Sequence, residues 1–444
     1  MVATRSDASR LREPGRPQLG APARLAREPP PPHLRYRICL DVLIGYPQNG
    51  SRSPGGTAMT IGTSSSTVRG FSSVPDPPLM DLSHRSEAPL LRVVQWATGA
   101  VGRHAVAAMA DHPDLEVVGA LVYSDGKAGR DVGELCGIGP IGVTATKDRD
   151  EILALDADCV LYMAQGEMDP AGALDDICAL LASGKNVIST AVTSLIYPAS
   201  AGPQVVERLE KSCAEGRASF HATGIEPGWA AEVLPLTMSG LFRHLDSLLV
   251  QELLDYSSYD SAGMLFDIMG FGRAPDADVP GANAALLGGT FRAPLMLVSD
   301  GLGATIDSFV YDRQVAVAQE AFDVAAGHVE AGTVSALRFS ATAIVGGRRA
   351  LTVEHITRLA ADAAPDWPRG RGWKVTIEGR PSMVLESKIA ANGEDENDQG
   401  CLGTAMHAVH AIAPVCAAPP GIRTFLDLPT IVGRHVLRAA TTTA

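Results

Sequence analysis

The sequence of 444 residues lacks paired cysteines. Its seven cysteines stand at irregular spacings, none of them belongs to a CxxC pair, and no cluster of histidines accompanies them. Structural zinc sites and disulfide frameworks both need a regular spacing of such residues. We therefore expect free thiols in a reducing cytosol and no metal site.

The sequence also lacks a long apolar run and an excess of positive charge. No apolar segment reaches the roughly 18 residues that span a bilayer, and the formal net charge is −13. An acidic chain is a poor match for nucleic acid or for an anionic membrane surface. Its apolar content of 46% and charged content of 20% are typical of a soluble globular protein, and its length suggests two or three domains.

Lysine is absent from residues 1–79, whose composition differs from that of the rest of the chain. This segment contains 12 of the 30 prolines, and 10 arginines against five acidic residues. Such a segment buries too little apolar surface to offset the entropy lost on folding. We expect a disordered Arg/Pro-rich extension over residues 1–87, either an idle upstream segment or an organellar transit peptide. The folded protein should begin near residue 88.

A turn of small residues follows the first buried-strand pattern, which is centred on Val93. The six residues of the turn are Ala97, Thr98, Gly99, Ala100, Val101 and Gly102. This is the GxGxxG arrangement of a dinucleotide-binding turn, with alanine in the first glycine position. Gly99 would let the backbone approach a pyrophosphate, and Gly102 would let the strand pack closely on a helix predicted from Arg103 to Ala110.

The end of the second predicted strand, Leu115–Tyr123, should select the cofactor. Asp125 could accept a hydrogen bond from a ribose 2′-hydroxyl and favour NAD, whereas Ser124, Lys127 and Arg130 could bind a 2′-phosphate and favour NADP. A hydroxyl stands at the strand end and the acid follows one residue later. The sequence therefore favours NADP, with NAD as the alternative.

Strand and helix patterns alternate up to Gly228, which predicts a doubly wound parallel sheet. Ligands of such sheets bind beyond the carboxyl ends of the strands. The segment after the strand Asp158–Met163 lies at that edge, so we expect Met163 and Ala164 to contact the cofactor. The segments Ser189–Ser194 and His221–Glu226 should lie at the same edge.

The pattern changes after Gly228. Long strands are predicted over Asp246–Tyr256 and Asp307–Ala318, and Gly346-Gly347 separates two further strands as in a hairpin. These elements predict an antiparallel α+β region. We place an N-terminal Rossmann domain at residues 88–228, an α+β substrate and oligomerisation domain at 229–400, and a returning C-terminal helix and tail at 401–438. The last helix is predicted over Gly403–Ile412, after a polar loop at Asp395–Gln399, with Pro414 as its stop.

The segments WATGAVGRHA, NVIST, GIEPGW and GTAMHAVHAI together resemble the dihydrodipicolinate reductase-like oxidoreductases. The resemblance covers about residues 91 to 438 and is nearer to the branch of 2,4-diaminopentanoate dehydrogenase and the NAD(P)H-dependent amine dehydrogenases. It implies hydride transfer between a nicotinamide cofactor and a small carbonyl or imine substrate. It also implies a homodimer or a higher homo-oligomer.

Two departures from this family concern the chemistry. The His-His pair and the Asp-x-Pro-Ser-Gly-Thr motif of dihydrodipicolinate reductases are absent. The amine dehydrogenase branch carries a Cys-Glu-Glu element after its NVIST-like strand, which supplies a catalytic carboxylate. Here that stretch is Ala191-Val192-Thr193, and Glu226 stands where the branch tends to have Asn in a GxNPG turn.

Three residues are candidates for the chemistry. Glu226 follows a predicted strand and precedes Pro227, which fits the first turn of a helix whose dipole would keep the carboxylate ionised. Glu167 lies on the expected nicotinamide side, and His221 ends a strand and could donate a proton. The same residues could instead be helix-terminal charges or a buried structural histidine. His407 and His410 share a helix face, but no third ligand for a metal accompanies them.

The sequence thus predicts an NAD(P)-dependent oxidoreductase, with a non-catalytic dinucleotide-sensing Rossmann protein as the alternative. The absent Glu pair favours the sensor, whereas the retained substrate-domain pattern favours the enzyme.

Deletion of residues 1–79 should leave folding and cofactor affinity intact, because the segment has no apolar core of its own. Thermal unfolding and cofactor titration of the shortened chain test this expectation. A loss of more than about 1 kcal/mol, roughly a fivefold change in affinity, would contradict it.

Overall fold

The computed structural model describes residues 89–283 and 289–437. The extension predicted over residues 1–87 and Cys39 lie outside the described residues. The other six cysteines are free thiols, as the sequence predicts.

A seven-stranded sheet with the order β3-β2-β1-β4-β5-β6-β15 forms the first half of the fold, and all of its neighbouring strands pair in parallel. Its strands are β1 (Leu91–Trp96), β2 (Leu115–Leu121), β3 (Ala145–Thr146), β4 (Cys159–Tyr162), β5 (Asn186–Ser189), β6 (Ser219–Ala222) and β15 (Gly421–Ile422). The residues of β4 are all buried, because helices cover both faces of a parallel sheet. The predicted doubly wound sheet is confirmed.

Helices flank this sheet on both faces, and apolar side chains from both layers form two cores. Within the described residues the α-helices are α1 (Ala100–Asp111), α2 (Val132–Leu135), α3 (Arg149–Ala154), α4 (Pro170–Ala182), α5 (Pro203–Gly216), α6 (Leu234–Ser239), α7 (Arg292–Gly301) and α8 (Glu396–Ala417). Short 3₁₀ segments lie at Gly166–Met168, Thr193–Ile196, Pro198–Ala201 and Pro280–Ala282, and π-helical segments at Trp229–Val233 and Gly263–Met269.

A six-stranded sheet with the order β14-β13-β7-β12-β11-β8 forms the second half. Its strands are β7 (His244–Asp255), β8 (Ser308–Val317), β11 (Val334–Val345), β12 (Arg348–Arg358), β13 (Gly372–Arg380) and β14 (Met383–Lys388), and a separate small ribbon contains β9 (Phe322–Val324) and β10 (Gly327–Val329). The prediction of a purely antiparallel region was wrong, because β7 and β12 pair in parallel. Apolar alternation reports which face of a strand is buried but does not report its partner.

The Gly346-Gly347 hairpin is confirmed. The two glycines have φ values of +58° and +73°, which a two-residue type I′ turn requires and which glycine adopts without strain. The flanking residues Val345 and Arg348 pair directly across the hairpin.

Helix α8 is longer than predicted at both ends. Asp395 caps it by accepting a hydrogen bond from the Asp398 N–H at 2.7 Å, so the predicted polar loop is the first turn of the helix. Acidic residues favour that position through the helix dipole. Pro414 lies inside the helix and does not end it.

Helix α8 packs on α1 and on the strands β4 to β6. Its packed side is rich in small residues, such as Ala405, Ala408 and Ala411, all fully buried. Among the described helices it alone is long and apolar enough to pass a composition test for a membrane span. A helix in the core of a globular domain passes the same test, so this composition is weak support for a span.

The turn after β1 brings the strand and α1 into close contact. Ala97, in the first glycine position of the motif, has a φ of +73°, a conformation that costs a non-glycine residue about 1–2 kcal/mol. A Cβ on Gly102 would lie 2.1 Å from the Ala97 carbonyl oxygen, whereas a Cβ on Gly99 would meet no atom within 4 Å. Protein atoms thus lie directly against Gly102, whereas no protein atom fills the space beside Gly99.

The two glycines should therefore respond differently to substitution. Gly102→Ala should lower the melting temperature and weaken dinucleotide binding, because its methyl group would separate α1 from the strand. Gly99→Ala should leave the melting temperature unchanged and weaken only dinucleotide binding, since the methyl group would enter the space where the backbone approaches a pyrophosphate. Thermal unfolding and fluorescence titration test both variants, and unchanged cofactor binding in Gly102→Ala would contradict the assignment of this turn.

Candidate active site

A cleft of about 840 Å³ opens at the carboxyl ends of β1, β2 and β4. Seven of the predicted cofactor residues line it: Ala97, Thr98, Gly99, Ser124, Lys127, Met163 and Ala164. Ala100, Val101 and Gly102 form the first turn of α1 beside it, one turn earlier than the sequence predicted the helix. No side chain caps this helix start at Gly99, so its N–H groups suit an anion. The turn and the cleft fit a dinucleotide.

The loop after β2 presents a cation to the cleft. The Lys127 ammonium lies 3.0 Å from the Thr98 carbonyl oxygen and 3.3 Å from its hydroxyl. Asp125 forms an exposed ion pair with Lys147, and this hydrogen-bonded lysine lowers the pKa of the Asp125 carboxyl. Arg130 is exposed and is not among the residues that line the cleft. Thus Ser124 and Lys127 reach the cleft, and Arg130 does not.

A buried cluster of ionisable side chains lies where the loop after β6 meets the second sheet. The Nε2 atom of His355 is 3.8 Å from a carboxylate oxygen of Glu226, and its Nδ1 atom is 3.4 Å from a carboxylate oxygen of Glu252. Tyr256 donates its hydroxyl hydrogen to the same Glu252 oxygen at 2.8 Å. The imidazole therefore stands between two carboxyl groups supplied by different parts of the chain.

Aromatic rings enclose the imidazole of His355. Phe339 stacks against it with a centroid distance of 5.0 Å, and Phe291 lies at 4.5 Å. Burial alone would lower the pKa of His355, but the Glu252 and Glu226 carboxylates raise it to about 10. The ring is thus a cation at neutral pH, between aromatic faces that favour a positive charge.

The carboxyl groups of this cluster differ in pKa. Burial raises the pKa of Glu226, and the neighbouring His355 offsets only part of that rise. Burial opposes ionisation of Glu252 as well, but the adjacent His355 and Tyr256 outweigh it and lower its pKa. Burial and the proximity of Glu226 hold the pKa of Glu232 well above its usual range.

The proton content of the cluster follows from its burial. Three ionised carboxylates and one imidazolium would leave two net negative charges in the interior, at a cost of several kcal/mol for each uncompensated ion. Glu252 and His355 form the ionised pair, and Glu232 holds a proton. Burial raises the pKa of Glu226 and His355 opposes part of that rise, and a carboxyl group perturbed in this way is a candidate general acid or base.

The predicted setting of Glu226 was wrong. The residue does not lie in the first turn of a helix, because helical backbone begins only at Trp229, and the Glu226–Pro227 peptide bond is cis. No helix dipole therefore keeps the carboxylate ionised. Both of its carboxylate oxygens are buried, and neither accepts a hydrogen bond from the described residues.

Glu167 lies beyond the end of β4, in the 3₁₀ segment Gly166–Met168. One of its carboxylate oxygens accepts hydrogen bonds from the Thr193 N–H at 2.6 Å and from the Thr193 hydroxyl at 2.7 Å. The carboxylate is thereby held at the Ala191–Thr193 stretch, next to Ala164 and Gly166, which line the cleft.

His221 lies apart from both the cleft and the buried cluster. It is fully buried and donates its Nδ1 hydrogen to the Arg423 carbonyl oxygen at 2.7 Å. Burial lowers its pKa to about 4. A neutral imidazole that binds a backbone carbonyl fits the structural alternative considered for this residue.

Glu232, Glu252 and His355 were not among the candidate residues predicted from the sequence. Glu252 and His355 lie inside apolar strands, where the position of His355 in the alternation favours a structural role. The signal available was an ionisable side chain at an inward-facing strand position, since such residues are rarely buried without a partner.

Comparison with known proteins agrees with this architecture. Residues 93–190 match the family described as dihydrodipicolinate reductase, N-terminus, and residues 230–440 match the family described as 2,4-diaminopentanoate dehydrogenase C-terminal domain. A solved structure of an amine dehydrogenase from Mycobacterium smegmatis superposes with a TM-score of 0.67 at 20% identity, over 79% of this chain and 99% of that one. This likeness confirms the fold.

Relatives of known activity share much of the sequence. An amine dehydrogenase of Streptomyces virginiae is 34% identical over 352 residues, which cover 77% of this chain and 96% of the relative. The 2,4-diaminopentanoate dehydrogenase of Acetoanaerobium sticklandii is 22% identical over 260 residues, which cover 58% of this chain and 70% of the relative. The chain belongs to the dihydrodipicolinate reductase-like family of NAD(P)-dependent oxidoreductases, in the branch of the amine dehydrogenases and 2,4-diaminopentanoate dehydrogenase.

Proposed function

We propose that this enzyme interconverts a small carbonyl compound and the corresponding amine by way of the imine, with NADP(H) as its preferred cofactor. The names of its relatives support the amine chemistry, and family membership favours an enzyme over the dinucleotide-sensing alternative. The observation that carries the proposal is the buried cluster of Glu226, His355 and Glu252 at the strand edge that also holds the cofactor cleft.

The chain would hold the cofactor through the turn Ala97–Gly102 and the wall formed by Ser124, Lys127, Met163 and Ala164. When bound, the nicotinamide supplies or accepts a hydride. The protein must bring the substrate carbon to about 3–3.5 Å from it and stabilise the charge that develops. The carboxyl ends of parallel strands meet at one edge of a sheet, and the position of Glu226 in the loop after β6 supports a place for it on the nicotinamide side.

Glu226 is the proposed proton-exchanging group. In the aminating direction ammonia adds to the carbonyl carbon, and a protonated Glu226 gives its proton to the departing hydroxyl group as water leaves. The resulting carboxylate then stabilises the positive charge of the iminium ion. His355 acts through Glu226 as a positioning residue, because its fixed positive charge favours the ionised carboxylate after proton transfer.

Glu167 is the second candidate for the same role. Thr193 holds its carboxylate at the stretch where the amine dehydrogenase branch carries its own catalytic carboxylate. With this geometry Glu167, from the segment after β4, can supply the carboxylate that the Ala191–Thr193 stretch lacks. Substitution of Glu226 and of Glu167 in turn decides which of the two exchanges the proton.

The choice of NADP rests on the loop after β2. Lys127 is positioned at the cleft as a cation for a phosphate, and Asp125 is occupied by Lys147. A free carboxylate at this strand end would instead favour the ribose hydroxyl of NAD.

We further propose domain boundaries at residues 88–228, 229–400 and 401–438, a cytoplasmic location and a homodimer or higher homo-oligomer. The net charge of −13 supports a small-molecule substrate and disfavours nucleic acid and membrane as partners. The family resemblance supports oligomerisation through the second domain.

Glu226→Gln keeps the shape of the side chain and removes its ability to exchange a proton. It should lower kcat for imine reduction about 100-fold or more, the low end for a positioned acid or base, and leave NADPH affinity unchanged. The assay is NADPH oxidation with short aliphatic ketones and aldehydes in the presence of ammonium. Glu378→Gln, an exposed carboxylate on the second sheet, is the matched control and should retain full activity.

The same assay on Glu167→Gln distinguishes the two candidates. Full activity of Glu226→Gln on the best substrate, together with loss of activity in Glu167→Gln, would remove Glu226 from the mechanism. If the best substrate is a ketone in the absence of ammonium, Glu226→Gln should lower kcat by a smaller factor, since no cation needs stabilisation.

Lys127→Met should raise the Kd for NADP⁺ about tenfold and leave the Kd for NAD⁺ nearly unchanged, given 1.5–3 kcal/mol for a hydrogen bond to a charged group. Arg130→Ala is the matched control and should change neither Kd, because that side chain is exposed and stands apart from the cleft. Isothermal titration with both cofactors provides the measurement. Equal losses for NAD⁺ and NADP⁺ in Lys127→Met would show that Lys127 only supports the Thr98 turn.

A further inference from the structure

A group of metal-ligating side chains lies far from the cofactor cleft, at the opposite end of α1. His112 follows the last turn of α1, Asp114 precedes β2, and His435 belongs to the C-terminal tail. One ligating atom from each of the three residues lies within 4.8 Å of those of the other two. The tail thus brings a second imidazole to a histidine and a carboxylate that the α1–β2 loop already places together.

The contacts among these residues are direct. The Nε2 atom of His435 lies 2.9 Å from a carboxylate oxygen of Asp114, and its ring meets that of His112 edge to face with centroids 5.0 Å apart. His435 has a φ of +56°, which costs a non-glycine residue about 1–2 kcal/mol. The tail adopts this unfavourable backbone conformation at the residue whose imidazole contacts Asp114.

A third imidazole lies under the same part of the tail. His410 of α8 has a buried Nδ1 atom that forms no hydrogen bond with the described residues. Its Nε2 atom is 3.7 Å from the position of a Cβ on Gly433, two residues before His435.

We propose that His112, Asp114 and His435 form a binding site for a divalent transition metal ion that fastens the C-terminal tail to the end of α1. Imidazole nitrogen and carboxylate oxygen are ligands that Zn²⁺ and other divalent first-row transition metal ions bind in proteins. Bonds of about 2.0–2.1 Å in a tetrahedral site bring ligand atoms to about 3.4 Å from one another. The widest spacing, up to 4.8 Å, must shrink by roughly 1.4 Å, which the half-exposed His435 side chain can supply by rotation.

The site is independent of the proposed chemistry, because α1 separates it from the cofactor cleft. Its role would be structural. The tail residues Leu428 and Ile431 already pack on the core beneath α1 and α8, and the metal would fix the segment that follows them.

The test uses the full chain without a polyhistidine tag, after dialysis against a chelator, and Zn²⁺ as the only added ligand. Isothermal titration and metal analysis should find one Zn²⁺ per chain that His435→Ala and Asp114→Asn do not bind. The loss of Zn²⁺ affinity should exceed the roughly 10–100-fold that follows removal of a residue that only orients a ligand. Zn²⁺ should raise the melting temperature of the unmodified chain but not that of His435→Ala.

His328→Ala is the matched control, because His328 is exposed and contacts two carboxylates, Asp323 and Glu330, without a second imidazole. It should bind Zn²⁺ as tightly as the unmodified chain. Equal Zn²⁺ binding and equal thermal shifts in the unmodified chain and in His435→Ala would overturn the proposal, and so would no binding to the unmodified chain. Histidines and Cys39 in the N-terminal extension are present in every variant and cannot produce the difference.

Discussion

The charge on His355 is the interaction on which the centre of the molecule depends. This buried imidazolium stands between Glu226 from the first half of the chain and Glu252 from the second. Removal of the charge on either His355 or Glu252 would leave the other charge uncompensated in the interior, which typically costs 3–5 kcal/mol. The raised pKa of about 10 means that the stabilisation is complete below the pKa of about 6.5 in the unfolded chain and is lost as the pH rises through about 10.

The same arrangement joins the fold to the chemistry. Parallel pairing of β7 and β12 places Glu252 directly beside His355, and the turn after β6 brings Glu226 to the other side of the ring. The first sheet supplies a cofactor cleft at its carboxyl edge, and the second sheet supplies a fixed positive charge facing that edge. Burial raises the pKa of the Glu226 carboxyl group and the neighbouring cation opposes part of that rise, which makes this group a candidate general acid or base.

Elements with a local signal were predicted correctly from the sequence. The dinucleotide turn and the Gly346-Gly347 hairpin depend on residues close together in the chain, and the parallel sheet is indicated by the alternation of strand and helix patterns along it. The parallel pairing of β7 with β12 and the cluster around His355 depend on contacts between distant segments, which periodicity does not report. Glu226 was found from its position after a strand, but its supposed helix dipole was wrong, because the turn at Pro227 precedes the helical backbone.

The central claim is that the Glu226 carboxyl group, held by His355, meets the nitrogen of the substrate. A crystal structure of the complex with NADP⁺ and an amine product tests it most directly. The account predicts the amine nitrogen within hydrogen-bond reach of a Glu226 oxygen, about 3 Å, with the nicotinamide lying against Ala164. An amine nitrogen bound to Glu167, with Glu226 still enclosed beside His355 and out of reach of the ligand, would contradict the account.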